Sequence, residues 1–280
     1  MDNFLKYNLL IFLMIGFVSC DLDFVGFIDS TSDGVDKRTE FSLAKNEETG
    51  VKKLISPQEE YQLCMVGDTH IGTTVNLAIV EAAVRNSSLA ILNLGDITTG
   101  RERDYQTTVD FFSNSATEII PVLGNHDLYF DGWRHYKRDL GSSVFYFEVQ
   151  TPTAKDLHIC LDSGNGTLGR KQYNWLKNTL ASKRGDYRHC FVYFHVNLFR
   201  TDNSQFVSNN MPLEETYQLM DLFGKNKVNA VFMAHDHYRE ELVFNNIQYV
   251  TLDVLWDGVK NASYVVLTVN TNFRYHFVDL

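Results

Sequence analysis

Five short clusters in this 280-residue chain place metal-binding side chains just after apolar runs. Asp68-Thr69-His70 comes after Leu63–Val66, and Gly95-Asp96 after Leu89–Leu94. Gly124-Asn125-His126-Asp127 follows Ile119–Leu123, His195 follows Phe191–Phe194, and His235-Asp236-His237 follows Ala230–Ala234. Imidazole nitrogens with carboxylate and amide oxygens suit Mn, Zn, Fe or Mg, and no thiolate takes part. Bound divalent ions acidify water and neutralise oxyanions, so that is the chemistry within reach. Taken singly, each cluster has a plainer explanation. Asp68 and His70 fit an Asx turn beside a surface histidine, Gly95-Asp96 and residues 124–127 fit ordinary turns, and His195 fits a core histidine. The His235/His237 pair is the strongest single signal. Together the clusters use five of the nine histidines, in an order that a sheet would bring together.

The elements that must position them follow from periodicity. Apolar positions three and four apart predict helices over Val75–Asn86, Arg170–Ser182 and Leu213–Lys225. Helices alternating with short β-rich runs predict an α/β sheet protein. In such sheets ligands gather beyond the carboxyl ends of the strands, where every cluster falls. The end of the chain is mostly strand-like (Leu242–Phe244, Gln248–Val254, Tyr264–Val269, Phe273–Val278). A second, largely antiparallel sheet packed on the first is expected from it.

With 44% hydrophobic and 13% aromatic residues the chain can bury one substantial core. A net charge of −10 argues against non-specific nucleic-acid binding, although bound dications can still make a pocket positive. Lys6, the apolar run Leu9–Val18 and Ser19-Cys20 read as a lipoprotein signal peptide over residues 1–19, with Cys20 as the lipid anchor. An ordinary secretion signal or a buried helix are the alternatives. Residues 20–56 are expected to be a tether or N-terminal extension, in which Phe24–Ile28 could form an edge strand. The remaining domain would span 57–280. Cys64, Cys160 and Cys190 match no zinc cassette or disulfide framework and read as buried free thiols.

The five clusters resemble the motifs of the calcineurin-like metallophosphoesterase family: Asp-x-His, Gly-Asp, Gly-Asn-His-Asp, a lone His, and His-x-His. The likeness runs from about residue 61 to 257. Leu161-Asp162-Ser163 and Gln172–Leu176 are similar to the cyclic-nucleotide-phosphodiesterase-like branch. The resemblance implies a four-layer αββα sandwich, two mixed sheets flanked by helices, with a dinuclear metal site at strand C-terminal ends. It implies one divalent ion on Asp68, His70, Asp96 and His237, and a second on Asp96, Asn125, His195 and His235. It further implies a hydroxide bridging the ions as nucleophile, His126 serving the leaving group, and Asp127 orienting His126.

The chain departs from the family pattern in places. Ala234 replaces the usual glycine, and Val196-Asn197 replaces the common proline-rich continuation. Thr99 stands where purple acid phosphatases carry a metal-binding tyrosine, and Ile97–Gly100 lacks the arginine signature of protein serine/threonine phosphatases. The expected function is hydrolysis of small phosphomonoesters or phosphodiesters outside the cytoplasm, by a monomer held at the bacterial cell envelope. A nuclease and a catalytically silent metal-binding surface protein are the alternatives; the presence of His126 favours the enzyme. Rim loops near 100–110, 128–143 and 197–212 would set the substrate. Their aromatics (Tyr105, Tyr129, Phe130, Trp133, Tyr136, Phe199, Phe206) either stack on a base or pack the loops, packing being favoured.

Overall fold

The computed structural model describes residues 34–70, 75–201 and 206–280. The expected signal segment, Cys20 and the Phe24–Ile28 island lie outside the described residues.

The elements run α1 (Val35–Thr49), β1 (Lys52–Ile55), β2 (Tyr61–Val66), α2 (Val75–Val84), β3 (Ser88–Leu94), α3 (Glu102–Asn114) and β4 (Glu118–Val122). A 3₁₀ segment (His126–Asp131) leads into α4 (Gly132–Asp139), β5 (Phe145–Gln150), β6 (Lys155–Cys160), α5 (Gly169–Lys183) and β7 (Cys190–Val196). Then come α6 (Leu213–Lys225), β8 (Ala230–Ala234), β9 (Glu240–Phe244), β10 (Ile247–Thr251), β11 (Ser263–Val269) and β12 (Phe273–Asp279).

Two mixed sheets result, a seven-stranded one ordered β1-β5-β6-β7-β8-β10-β9 and a five-stranded one ordered β12-β11-β2-β3-β4. Side-chain alternation along the strands explains the layers. In β7, Phe191 and Tyr193 join the core between the sheets, where they meet Leu63, Leu92 and Val265. Their neighbours Val192 and Phe194 face α5 and α6 through Leu176, Leu219 and Phe223. On the other side, Val66 and Ile91 pack on Leu77 and Val80 of α2. The αββα sandwich expected from the resemblance is therefore the fold.

Two expectations need correction, and one between them gains detail. The C-terminal strands do not build a sheet of their own: β10 lies parallel to β8 with β9 beside it, whereas β11 and β12 extend the sheet of β2. Within the stretch expected to be a tether or N-terminal extension, α1 packs on the domain and β1 pairs parallel with β5, so residues 34–56 are folded onto it. The anchor of α1 is the wholly buried Arg38, whose guanidinium grips Asp162 at 2.7 and 2.9 Å. Finally, the supposed rim loops 100–110 and 128–143 are largely the helices α3 and α4, on which Tyr105, Trp133 and Tyr136 are buried packing residues.

Cys64, Cys160 and Cys190 are buried free thiols, as expected. Among the described residues, no helix is long and apolar enough to cross a membrane.

Candidate metal centre

The five clusters converge where the two sheets meet. Asp68, Asp96 and Asn125 follow β2, β3 and β4 of the smaller sheet, while His195, His235 and His237 end β7 and β8 of the larger. His195 has the inward parity of Phe191 and Tyr193, which sends its ring between the layers. Five of these site residues have left-handed backbones: Asp68 (φ 51°), His70 (39°), Asp96 (50°), His235 (78°) and His237 (63°). Each such conformation is strained by about 1–3 kcal/mol and persists only where the surroundings hold it. Some of the holding bonds are main-chain ones: Asp68 N–H donates to Gly95 O at 3.1 Å, and His70 N–H to Asp96 O at 2.8 Å.

Close approach also dictates two glycines. A Cβ on Gly124 would lie 2.1 Å from the Asp96 nitrogen, and one on Gly95 2.7 Å from the His195 ring. The Ala234 methyl, foreign to the family pattern, fits because its neighbour is Gly67, where an added Cβ would come within 2.7 Å of it.

Three groups of donor atoms form, each with its atoms within 4.8 Å of one another: Asp68/His70/His237, His70/Asp96/His126 and Asp96/His195/His235. Around His195 Nε2 lie Asn125 Oδ1 at 3.1 Å, His235 Nδ1 at 3.1 Å and Asp96 Oδ2 at 3.2 Å. His237 Nε2 is 3.3 Å from Asp68 Oδ1, and His70 Nε2 is 3.9 Å from Asp96 Oδ2. Ligand atoms about 2.0–2.2 Å from one ion stand about 3 Å apart, so these spacings fit a metal. The polar accounting agrees: Asp68 Oδ1 and His70 Nε2 are buried without a hydrogen-bond partner. Every residue expected to bind metal lies in this cluster.

Electrostatics point the same way. Burial alone would raise the Asp96 carboxyl, but the facing imidazoles of His195, His126 and His70 hold it well below the usual range. Burial would lower His195; Asp96 and Asp68 reverse this and lift it to about 9, so at neutral pH it carries a proton that a bound cation would have to displace. For His70 and His235 burial wins and pushes each down to about 4, which keeps their lone pairs available at neutral pH. His195 Nδ1 lies 2.8 Å from Leu94 O, a bond that puts the proton there and turns Nε2 toward the cluster.

His126 sits at the open side. Its side chain is 37% exposed, and its Nε2 is 3.8 Å from Asp96 Oδ2. Its ring lies 4.6 Å from those of both His70 and Tyr129. Asp127 does not orient it. The Asp127 carboxylate accepts from Gly124 N–H at 2.9 Å and from Thr98 N–H and hydroxyl at 2.8 and 3.0 Å. It thereby braces the turns after β3 and β4 against each other.

Trp256 was not visible as a site residue in the sequence. Its ring packs against His70 at 5.2 Å and His237 at 4.8 Å. It follows no strand end of the recurring kind, so only its position late in the region of family likeness could have drawn notice. Tyr129 does touch the site, its hydroxyl accepting from Asn125 Nδ2 at 3.3 Å.

Residues 62–239, more than half of the chain, match the calcineurin-like phosphoesterase family. The chain belongs to that family. Solved structures similar to this phosphoesterase share its fold at low identity. GAP50, the anchor in the inner membrane complex of Plasmodium, aligns with TM-score 0.62 and 12% identity over 79% of this chain and 84% of that one. Purple acid phosphatase PPD1 of yellow lupin aligns with TM-score 0.59 and 12% identity over 80% of this chain and 52% of that one. TT1561 of Thermus thermophilus gives TM-score 0.51 and 12% identity over 77% and 98%. No curated protein gives a significant sequence match.

Proposed function

We propose that this phosphoesterase hydrolyses small phosphomonoesters or phosphodiesters with two divalent ions, drawn from Mn, Zn, Fe and Mg, that share Asp96. The observation that carries the proposal is the reach of one oxygen: Asp96 Oδ2 is 3.2 Å from His195 Nε2 and 3.9 Å from His70 Nε2, one nitrogen in each half of the cluster. Asp68, His70 and His237 would complete one site; Asn125, His195 and His235 the other. Ions bound there would supply positive charge for the phosphoryl oxygens and an acidified water.

The chain's own groups do the rest. The buried carboxylates fix where cations and the phosphoryl group sit. His126, half-exposed beside Asp96, gives its proton to the ester oxygen as the phosphorus–oxygen bond breaks. A water oxygen bonds to phosphorus, and the proton that water sheds passes to solvent, from which His126 is reprotonated. A panel of monoesters and diesters, run with each metal added to metal-free protein, tests this. Hydrolysis under none of these conditions would refute it.

The envelope location belongs to the same proposal: cleavage before Cys20 and acylation of its thiol would hold the enzyme at a membrane. Mass spectrometry of membrane-extracted protein checks it, and an unmodified mature terminus elsewhere would refute it.

A further inference from the structure

The turn carrying His235 and His237 is strained at both histidines, with φ of 78° and 63°, and the backbone ladder does little to hold it. Pairing between β7 and β8 is irregular between Tyr193 and Val196, the stretch that contains His195, and ends at Val196↔Ala234. Beyond that point the two ligand-bearing segments have no ladder between them. A side-chain network takes over.

Asp236, between the two histidines, accepts from Asn197 Nδ2 at 2.6 Å, Asn210 Nδ2 at 3.2 Å and Arg200 Nη2 at 3.1 Å. Asn197 lies two residues past His195 and is fully buried. Its second amide hydrogen goes to Phe199 O at 2.7 Å, and its oxygen accepts from Asn210 Nδ2 at 2.8 Å. Every polar atom of the Asn197 amide and of the Asp236 carboxylate therefore has a partner. A satisfied buried network of this kind specifies one geometry, whereas a half-satisfied one is costly. Asn197 also belongs to the Val196-Asn197 stretch that departs from the family's common continuation after the lone histidine.

We propose that Asn197, Asn210 and Asp236 are positioning residues that clamp the His235–His237 turn to the segment after His195, and so set the affinity of the metal centre. The inference rests on the two-ion reading above. The clamp touches neither substrate nor ion: it acts through His235 and His237, whose strained backbones would otherwise relax and withdraw their nitrogens. Arg200, 41% exposed and also 3.3 Å from the Tyr238 hydroxyl, closes the outer side of the network.

The test is Mn²⁺ binding to metal-free full-length protein by equilibrium dialysis, alongside the metal-free melting temperature. Asp236→Ala and Asn210→Ala should weaken Mn²⁺ binding about 10- to 100-fold, the usual effect of losing a residue that supports a ligand. Turnover should recover at saturating Mn²⁺, and Asp236→Asn, which keeps one acceptor oxygen, should fall between. A purely structural role predicts the opposite pattern, a lower melting temperature with unchanged Mn²⁺ affinity, and that result overturns the clamp. Should Asp236→Ala fail to fold, Asn210→Ala, a partly exposed loop position, decides alone. Wild-type protein that takes up no Mn²⁺ would instead sink the two-ion reading.

Discussion

The main-chain N–H of His126 donates to Oδ1 of Asp96 at 2.7 Å, while Oδ2 of the same carboxylate faces His195 at 3.2 Å. One oxygen is thus fixed by backbone and the other is presented to the cluster. The bond also sets the start of the turn that brings the His126 ring to the open side, so the residue proposed to serve the leaving group is built onto the residue proposed to share the ions.

If His126 protonates the leaving group, His126→Ala should keep its metal content and lose about 10²–10⁴-fold in turnover on alkyl phosphates. On nitrophenyl phosphate, whose leaving group needs little protonation, the deficit should shrink. Equal losses on both esters, or loss of metal, would remove His126 from the acid role.

Arg38 and Asp162 form a wholly buried bidentate pair, which Ser143 also joins at 3.0 Å. Removing one partner strands the other charge in the core, so Arg38→Ala should lose about 3–5 kcal/mol in urea unfolding. A change under about 1 kcal/mol would mean that α1 is peripheral to stability.

His158 is buried between the sheets, with Tyr61 and Tyr193 hydroxyls at 3.0 and 2.9 Å. Because the Tyr61 hydroxyl donates to Asp156, it accepts from His158 Nε2, and Nδ1 accepts from Tyr193. Burial, against the pull of Asp156, pushes the imidazole down to about 3. The unfolded chain, with a histidine near 6.5, therefore binds the extra proton first. This contribution to stability is complete above about pH 6.5 and is lost as pH falls toward 3, at up to about 1.4 kcal/mol per pH unit. In metal-free protein, His158→Gln should flatten the stability curve between pH 6.5 and 4. Parallel curves for the two proteins would contradict it.

Much of the site was legible because metal ligands must be particular residue types and strand ends are easy to read. The five clusters needed no knowledge of which sheet each strand joined. What escaped depended on tertiary pairing or on polar burial. Helix α1 buries Arg38, Thr39 and Ser42, so it shows no apolar stripe to find. β9–β12 all read as short β-rich runs, and nothing local says that β10 returns to β8 while β11 crosses to β2. Asp127 looked like a partner for its neighbour His126, yet the backbone donors of Gly124 and Thr98 claim its carboxylate.

The central claim is that Asp96 joins two ions. Elemental analysis of metal-reconstituted protein, compared with its Asp96→Ala variant under the same dialysis, tests it most directly. The account predicts two tightly held ions per wild-type chain and loss of both from the variant, with hydrolysis abolished. A variant that retains two ions, or full activity, would contradict it.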